Sequence, residues 1–465
     1  MTHRGAAKER WILAASILGS GAVFLEGSVV FVALPAIGRD MGLDVAGLQW
    51  VMNGYLLTLS ALILFGGALG DRTSRSQVFG AGLIAFAIAS IGCALAPSII
   101  LLVTARVVQG IGGALVVPNS LAILETTFHG NERGVAIGRW AAWSGISSAI
   151  GPLAGGWLVD AASWRFVFVV IVPFALAAAW IVFRHSASEK RETPASSRSL
   201  DYKGAILVTL ALGGIVGALI AGPESGFGSP LVVALLATGV ALVAAFLFVE
   251  SRTVNPMVPL DAFRSREFVG ANLSTLFIYA ALNGIFFLLM LQLQNGIGYT
   301  ALAAGASLLP INVLLLMLSP RVGRLAERIG ARIPMTVGGL LAAAGAMLFM
   351  RVKAGSSYAT ALLPAIIVFG TGLGILVAPL TASALRSLGE KRAGIASGVN
   401  NATARLAGLF ATASIPAAVG LGGSNAASGA ALASAFPRAM VISAALCAAG
   451  AVVAFVMIRG KPAKS

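Results

Sequence analysis

Apolar residues occur along this chain in long runs, and the charged residues are gathered into the short segments between them. Fourteen runs are each roughly 18 residues or longer, the length at which an apolar helix can cross the hydrocarbon core of a bilayer. Backbone groups in lipid must be satisfied within the protein, which leaves helices or a closed barrel. The runs are too long and too continuous for barrel strands, which alternate over about ten residues.

The pattern therefore predicts an all-α polytopic membrane protein with about fourteen transmembrane helices and both termini on one side of the membrane. The predicted spans are residues 12–35, 48–69, 78–96, 99–122, 136–159, 165–184, 203–222, 230–250, 268–292, 302–320, 332–351, 358–382, 393–420 and 437–458. The first is read as a retained span and not as a cleaved signal peptide, because it is long and contains Glu26.

Composition agrees with a lipid environment. Of the 465 residues, 58% are hydrophobic and only 11% are charged, whereas about 25% are charged in an ordinary soluble domain. The two cysteines, Cys93 and Cys447, lie inside apolar runs and form no metal-binding or disulfide pattern.

The net charge of +15 would favour nucleic-acid binding in a soluble protein. Here the basic residues are spread over many short segments. With the N-terminus in the cytoplasm, 25 of the 32 Lys and Arg, among them Lys190, Arg191 and Lys391, lie at the inner face. Five lie at the outer face, and Arg106 and Arg405 lie within spans. This asymmetry supports the span count, cytoplasmic termini and an inner or plasma membrane location, and it argues against a nucleic-acid partner.

An internal repeat indicates duplicated halves. Gly67-x-Leu-x-Asp71-Arg72 follows the second span, and Gly323-x-Leu-x-Glu327-Arg328 follows the tenth. Without spans seven and eight, the tenth span becomes the second helix of the second half. The predicted organisation is a six-helix half at 1–184, a section at 185–267 with two linkers and two extra helices, and a six-helix half at 268–465.

Several segments, at this order and spacing, together resemble the major facilitator superfamily and, more narrowly, its fourteen-span drug:proton antiporter family. They are residues 25–35, 49–55, 67–75, 106–110, 151–156, 164–168 and 398–405. The resemblance implies two six-helix halves plus a two-helix insert, and proton-coupled export. The chain departs from the family in having Glu26 where Asp is usual and Phe31 where Asn is usual.

Glu26 and Arg106 are the sharpest candidates for proton coupling. Glu26 is the only acidic residue deep in a span, where a charge persists only if it is paired, protonated or facing an aqueous cavity. Helix rise places both residues roughly 13 Å below the outer surface, so an ion pair is geometrically possible. The alternatives are a neutral Glu hydrogen-bonded between helices and an Arg that caps carbonyl groups.

Two further motifs have candidate conformational roles. Acidic and basic residues at the inner face could form a latch that holds one conformation closed; they are Asp71, Arg72, Arg75, Glu327 and Arg328, with Arg332 after them. Small residues and a proline in span five allow close helix packing; they are Gly151, Pro152, Gly155 and Gly156. The resemblance implies that this second motif marks exporters and helps to seal the cavity. The alternatives are solvated loop charges and ordinary tight packing.

Polar residues within other spans are candidates for lining a substrate cavity, although each could instead form an interhelical hydrogen bond. They are Asn53, Tyr55, Gln109, Asn119, Tyr279, Asn283, Asn312, Asn400 and Arg405. The cavity is otherwise expected to be apolar, which suits lipophilic or amphiphilic compounds.

These observations predict a multidrug efflux antiporter that works by alternating access and couples export to protons. Its expected partners are a small-molecule substrate, protons and the lipid bilayer, a monomer is expected to suffice, and no cofactor or metal is implied. Neither a phosphate-binding loop nor a catalytic triad is present in the sequence, so we do not expect an enzyme. A dedicated exporter of one metabolite or lipid stays open as an alternative, as does a channel or membrane enzyme.

Overall fold

The computed structural model describes residues 3–186, 200–253, 256–389, 392–422 and 428–459. Within these ranges the chain is helical and contains no strand, which confirms the all-α class. Residues 187–199, which include Lys190 and Arg191 and belong to the first of the two predicted linkers, lie outside the described residues, and so do Lys391 and residues 460–465.

Sixteen α-helices occur in the described residues. They are α1 (His3–Met41), α2 (Val45–Arg72), α3 (Arg75–Leu95), α4 (Ile99–Thr127), α5 (Gly130–Ala161), α6 (Phe166–Val169), α7 (Val172–Ser186), α8 (Tyr202–Ser225), α9 (Pro230–Arg252), α10 (Arg266–Leu291), α11 (Ala301–Ser307), α12 (Leu309–Ile329), α13 (Arg332–Phe349), α14 (Leu363–Arg386), α15 (Ala393–Ala418) and α16 (Gly429–Met457). A 3-10 turn covers Leu260–Arg264, and π-helical turns extend α10 and precede α14.

Twelve helical segments of the described chain are long and apolar enough to cross a membrane. They account for twelve of the fourteen predicted spans. The other two predicted spans form α5 and α15, which have 32 and 26 residues. Both are long enough to cross, but Ser, Gly, Asn and Thr replace large apolar residues in them and lower their hydropathy.

Contacts divide the described chain into two units. The first contains the described parts of Met1–Met41, Trp50–Gly214 and Ala237–Met257. In it α1 packs against α4, α5 and α7, and α3 packs against α4 and α7. Helices α2 and α4 also approach closely, because a Cβ on Gly66 would meet the backbone of Ala114.

The second unit contains the described parts of Gly42–Gln49, Ile215–Leu236 and Val258–Ser465. Its helices repeat the packing of the first unit pair by pair. Helix α10 packs against α14, α15 and α16 as α1 does against α4, α5 and α7, and α13 packs against α14 and α16 as α3 does against α4 and α7. Helix α12 contacts α14, as α2 contacts α4 through Gly66 and Gly110.

The two predicted extra helices, α8 and α9, contribute differently. Helix α8 lies against α2, where the rings of Tyr202 and Phe65 are 5.3 Å apart and Gly213 faces Leu57. Only 11% of the most apolar stretch of α9 is buried, so most of this helix has an apolar surface that suits contact with lipid.

Candidate functional site

An ion pair between α1 and α4 forms the centre of the site in the first unit. Glu26 and Arg106 both have fully buried side chains, and Nη1 of Arg106 donates to Oε1 of Glu26. Sequence reasoning predicted similar depths for these residues, and the structure brings them into direct contact. An ion pair with no exposed surface is held in a low dielectric, where the attraction between the charges is stronger than in water.

Hydrogen bonds from two further helices orient the guanidinium. The Nε of Arg106 donates to the carbonyl of Val51 on α2 at 2.9 Å. Its Nη1 also donates to Oε1 of Gln109 at 2.7 Å, and Nε2 of Gln109 donates to the Ser90 hydroxyl of α3 at 2.8 Å. Because Ser90 accepts from the amide nitrogen, the amide oxygen of Gln109 faces Arg106. Four helices therefore fix the position of one cation.

Aromatic rings cover the other faces of the guanidinium. The Cζ of Arg106 lies 4.5 Å from the ring centroid of Tyr55 and 5.8 Å from that of Phe168. Both distances are within the range of cation–π attraction. Asn53, also on α2, is completely buried. The predicted residues Tyr55 and Gln109 thus lie at the ion pair.

One atom on each side of the ion pair has no hydrogen bond. Within the described residues, Oε2 of Glu26 accepts none and Nη2 of Arg106 donates none. Buried charged groups are usually fully satisfied, because an unmet hydrogen bond costs about 1–3 kcal/mol or more. The pair is therefore incompletely satisfied at these two atoms.

The small-residue motif of α5 packs against the turn of α1 that contains Glu26. A Cβ added to Gly151 would meet the hydroxyl of Ser28, and one added to Gly155 would meet the side chain of Val29. Ser28 itself donates to the carbonyl of Leu25 at 2.9 Å. The absence of side chains at these two glycines therefore allows α5 to lie directly beside the carboxylate-bearing turn.

The two copies of the acid–Arg motif differ. In the first, Nη2 of Arg75 lies 2.7 Å from Oδ1 of Asp71, and Nη1 also donates to the Ala122 carbonyl of α4 at 3.3 Å. In the second, neither Glu327 nor Arg328 forms an ion pair with any described residue. Of the residues suggested for a latch, Asp71 and Arg75 are thus paired, and Arg72 lies beside them at the end of α2.

A different ion pair occurs just before α10, between Asp261 and Arg392. The neighbouring Arg392 guanidinium lowers the pKa of the Asp261 carboxyl below its usual value. Both side chains are about half exposed, so solvent screens this pair far more than the buried one.

Polar residues in the second unit are concentrated between α10 and α15. Asn400 donates to Thr275 at 2.8 Å and to Asn272 at 3.4 Å, and Thr403 also reaches Asn272. On α10, Asn283 donates to the carbonyl of Tyr279 one turn earlier.

The structure groups some of the predicted cavity residues and separates others. Arg405 of α15 is close enough to Tyr279 to interact electrostatically. Asn312 lies on α12 and is half-buried. In the first unit, Asn119 donates to the Gly66 and Leu115 carbonyls, so it joins α4 to α2 well away from Arg106 in the helix.

Sequence reasoning missed Ser90, the Val51 carbonyl and Phe168 in the first unit, and Asn272 and Thr275 in the second. A serine in an apolar helix is common, and a carbonyl has no sequence signal. The polar pair on α10 could have been noticed because Asn272 and Thr275 lie in an otherwise apolar run. In the described residues, no group of three or more His, Cys, Asp or Glu side chains could hold a metal ion.

Comparison with known proteins identifies the family. Residues 16–412, most of the chain and the whole of the Glu26–Arg106 site, match the model of the Major Facilitator Superfamily. The chain belongs to the major facilitator superfamily. It is thus a multi-pass membrane transporter, and the family part of the sequence-based prediction is confirmed.

Three similar relatives come from a mycobacterium and two streptomycetes. The chain is 34% identical to the "Multidrug resistance protein Stp" of Mycobacterium tuberculosis over 84% of this chain and 72% of that protein. It is 33% identical to the "Tetracenomycin C resistance and export protein" of Streptomyces glaucescens over 86% and 74% of the two chains. It is 35% identical to the "Puromycin resistance protein pur8" of Streptomyces alboniger over 88% and 82%.

A solved structure supports the same fold. The bacterial homologue of the human lysosomal transporter Spinster, crystallised in an inward-facing and unoccupied conformation, has a TM-score of 0.66 with 16% identity. The alignment covers 97% of each chain. This likeness shows that the major facilitator fold extends over nearly the whole chain.

Proposed function

We propose that this transporter exports small lipophilic or amphiphilic compounds, including drugs, in exchange for protons. The observation that carries the proposal is the completely buried Glu26–Arg106 pair in a chain whose relatives are named for drug resistance and export. A buried carboxylate beside a fixed cation can be neutralised by one proton, and that neutralisation changes the local electrostatics sharply.

Protonation of Glu26 would remove its attraction to Arg106. Two unit charges 4 Å apart attract by about 4 kcal/mol at an effective dielectric constant of 20. A change of about 5.5 kcal/mol is enough to move a two-state equilibrium from 1:99 to 99:1. Neutralising this pair is therefore of the right size to shift the balance between two conformations.

The remaining contacts of the site connect the neutralisation of Glu26 to movement of the helices. Arg106 is tied to α2 and α3 through Val51, Gln109 and Ser90, and Glu26 lies on the turn of α1 against which α5 packs. A proton entering from outside would release α1 from α4 while α5 moves with α1. The Asp71–Arg75 pair would hold the opposite, inner end of the first unit in one of the two conformations.

We also propose fourteen crossings, with α8 and α9 standing between two six-helix halves along the sequence and both termini in the cytoplasm. Helices α5 and α15 are equivalent in packing, against α1 and α10 respectively, and their low hydropathy suits helices that face a polar cavity and not lipid. The 25-to-5 distribution of basic residues supports this count. A monomer contains every residue used here.

A panel of toxic compounds tests the proposal in cells that lack their own efflux pumps. Cells that express the protein should tolerate several chemically unrelated lipophilic compounds at least fourfold better than cells with an empty vector, and a proton uncoupler should abolish the difference in compound accumulation. Tolerance of a single compound would favour a dedicated exporter. No change for any compound, with the protein present in the membrane, would contradict the proposal.

A further inference from the structure

Arg332 follows the second acid–Arg motif, and the proposed transport mechanism gives it no role. Its position, four residues after Arg328, suggested part of an inner latch. In the structure its guanidinium instead lies over Phe455 of α16, with Cζ 4.1 Å from the ring centroid. Its Nε is buried and donates no hydrogen bond within the described residues. The guanidinium is thus held in place while part of its donor capacity stays unused.

Two more arginines converge on the same end of α16. Nη2 of Arg266, the first residue of α10, donates to the Val456 carbonyl at 2.7 Å. Arg459, one turn after Phe455, lies 3.7 Å from the Glu267 carboxylate and is 75% exposed. The loose contact with Glu267 leaves most of the Arg459 guanidinium free to meet another group.

We call Arg266, Arg332 and Arg459 the basic cluster. It contains three guanidinium groups, and among the described residues only that of Arg459 forms an ion pair, with Glu267. Helices α10 and α13 both begin here, and helix N-termini add partial positive charge. The cluster therefore has an excess of positive charge and an arrangement of planar donors that suits an oxyanion such as a phosphate group.

An exposed apolar surface runs away from the cluster along the same two helices. On α16 it contains Val452, Phe455 and Val456, and on α13 Ile333 and Val337; these side chains are between 45% and 58% exposed. A ligand that bound both the basic cluster and this apolar surface would have an anionic head and long apolar chains. Among the molecules present around a membrane protein, an anionic phospholipid has this chemistry.

We propose that the basic cluster binds the phosphate headgroup of an anionic phospholipid whose acyl chains lie along the exposed faces of α13 and α16. The ring of Phe455 serves as a platform that holds Arg332 at the depth of the headgroup, and the Nη groups of the cluster donate to phosphate oxygens. This site lies wholly in the second unit, and it does not depend on proton coupling at Glu26.

Native mass spectrometry and thermal unfolding of the purified protein in detergent test the proposal. We expect phosphatidylglycerol to remain bound at higher collision energy than phosphatidylcholine with the same chains, and to raise the unfolding temperature more. The double variant Arg332→Gln/Arg459→Gln should weaken phosphatidylglycerol binding at least tenfold. Arg321→Gln, which removes an exposed arginine from α12, should leave binding unchanged.

Two further arms distinguish lipid binding from simpler explanations. Phe455→Leu keeps every charge but removes the ring that holds Arg332. We therefore expect partial loss of phosphatidylglycerol binding together with normal folding. Inorganic phosphate at millimolar concentration should stabilise the protein much less than the lipid. Equal binding of the two lipids, undiminished binding in the double variant, or full stabilisation by phosphate alone would each overturn the proposal.

Discussion

Glu26 and Arg106 form an ion pair that solvent does not screen, because both side chains are fully buried. Removing the acid and removing the base should therefore destabilise the protein by different amounts. A carboxyl group that loses its cation can take up a proton and become neutral, whereas a guanidinium remains charged at any ordinary pH. Although Arg106 keeps its hydrogen bonds to Val51 and Gln109 when the carboxylate is absent, its buried charge is then uncompensated. Loss of the anion should therefore leave the more costly defect.

Thermal unfolding of single and double variants checks this asymmetry. We expect Glu26→Gln to destabilise the protein by about 3 kcal/mol, because breaking a buried pair leaves an uncompensated charge. Arg106→Met should cost less, and Glu26→Gln/Arg106→Met should regain much of the loss. A double variant as unstable as the sum of the two single variants would show that the residues act independently.

Both residues of the pair could be predicted from sequence, since a charge inside an apolar run is rare and the helix rise sets its depth. Their contact could not, because it depends on how α1 and α4 are packed. The orienting role of Ser90 could not be predicted either, because it depends on one hydrogen bond from Gln109 of α4 to Ser90 of α3. In the sequence, Ser90 looks like any other serine within a helix, such as Ser434.

The amino-acid composition of helix α5 reflects its close packing against α1. Its apolar content is low because glycines replace larger side chains where α1 comes close, at Gly151 and Gly155. Sequence reasoning found this small-residue face from its spacing. It could not assign the opposing helix, which the structure identifies as α1 at the turn of Glu26.

The repeat of the acid–Arg motif suggested two equivalent latches, yet Arg332 contacts an aromatic ring.

Two alanine substitutions on α5 separate packing from helix propensity. A Cβ at Gly151 would overlap the Ser28 hydroxyl and lie 3.2 Å from the Leu25 carbonyl, so we expect Gly151→Ala to destabilise the protein by about 1–3 kcal/mol, as overpacking does. Gly145 on the same helix faces open space. Gly145→Ala should be neutral or stabilising by about 0.5–1 kcal/mol. Unfolding temperatures measured in one detergent would compare the two, and equal effects would contradict the α1–α5 contact.

At the scale of the whole molecule, the sequence predicted an all-helical major facilitator fold, and the structure and the family match confirm it. Hydropathy alone supports twelve candidate spans in the described residues. The remaining two runs, α5 and α15, have equivalent partners in their own units, α1 and α10. Their polar composition is the reason that hydropathy does not place them among the candidate spans.

Cysteine accessibility tests whether α5 crosses the membrane. In a background of Cys93→Ala and Cys447→Ala, single cysteines at the exposed positions Glu132 and Ala162 flank the apolar part of this helix. We expect a membrane-impermeant thiol reagent added to intact cells to label Ala162→Cys, and to label Glu132→Cys only after permeabilisation. Labelling of both from the same side would reduce the number of crossings.

Proton exchange driven by substrate is the most direct test of the central claim that Glu26 couples export to protons. The purified protein, in vesicles loaded with a pH-sensitive dye, should move protons when a compound identified in the resistance panel is added to one side. Glu26→Gln should reduce this movement at least tenfold although the compound still binds, and Glu26→Asp should retain it in part. Undiminished proton movement in Glu26→Gln would contradict the account.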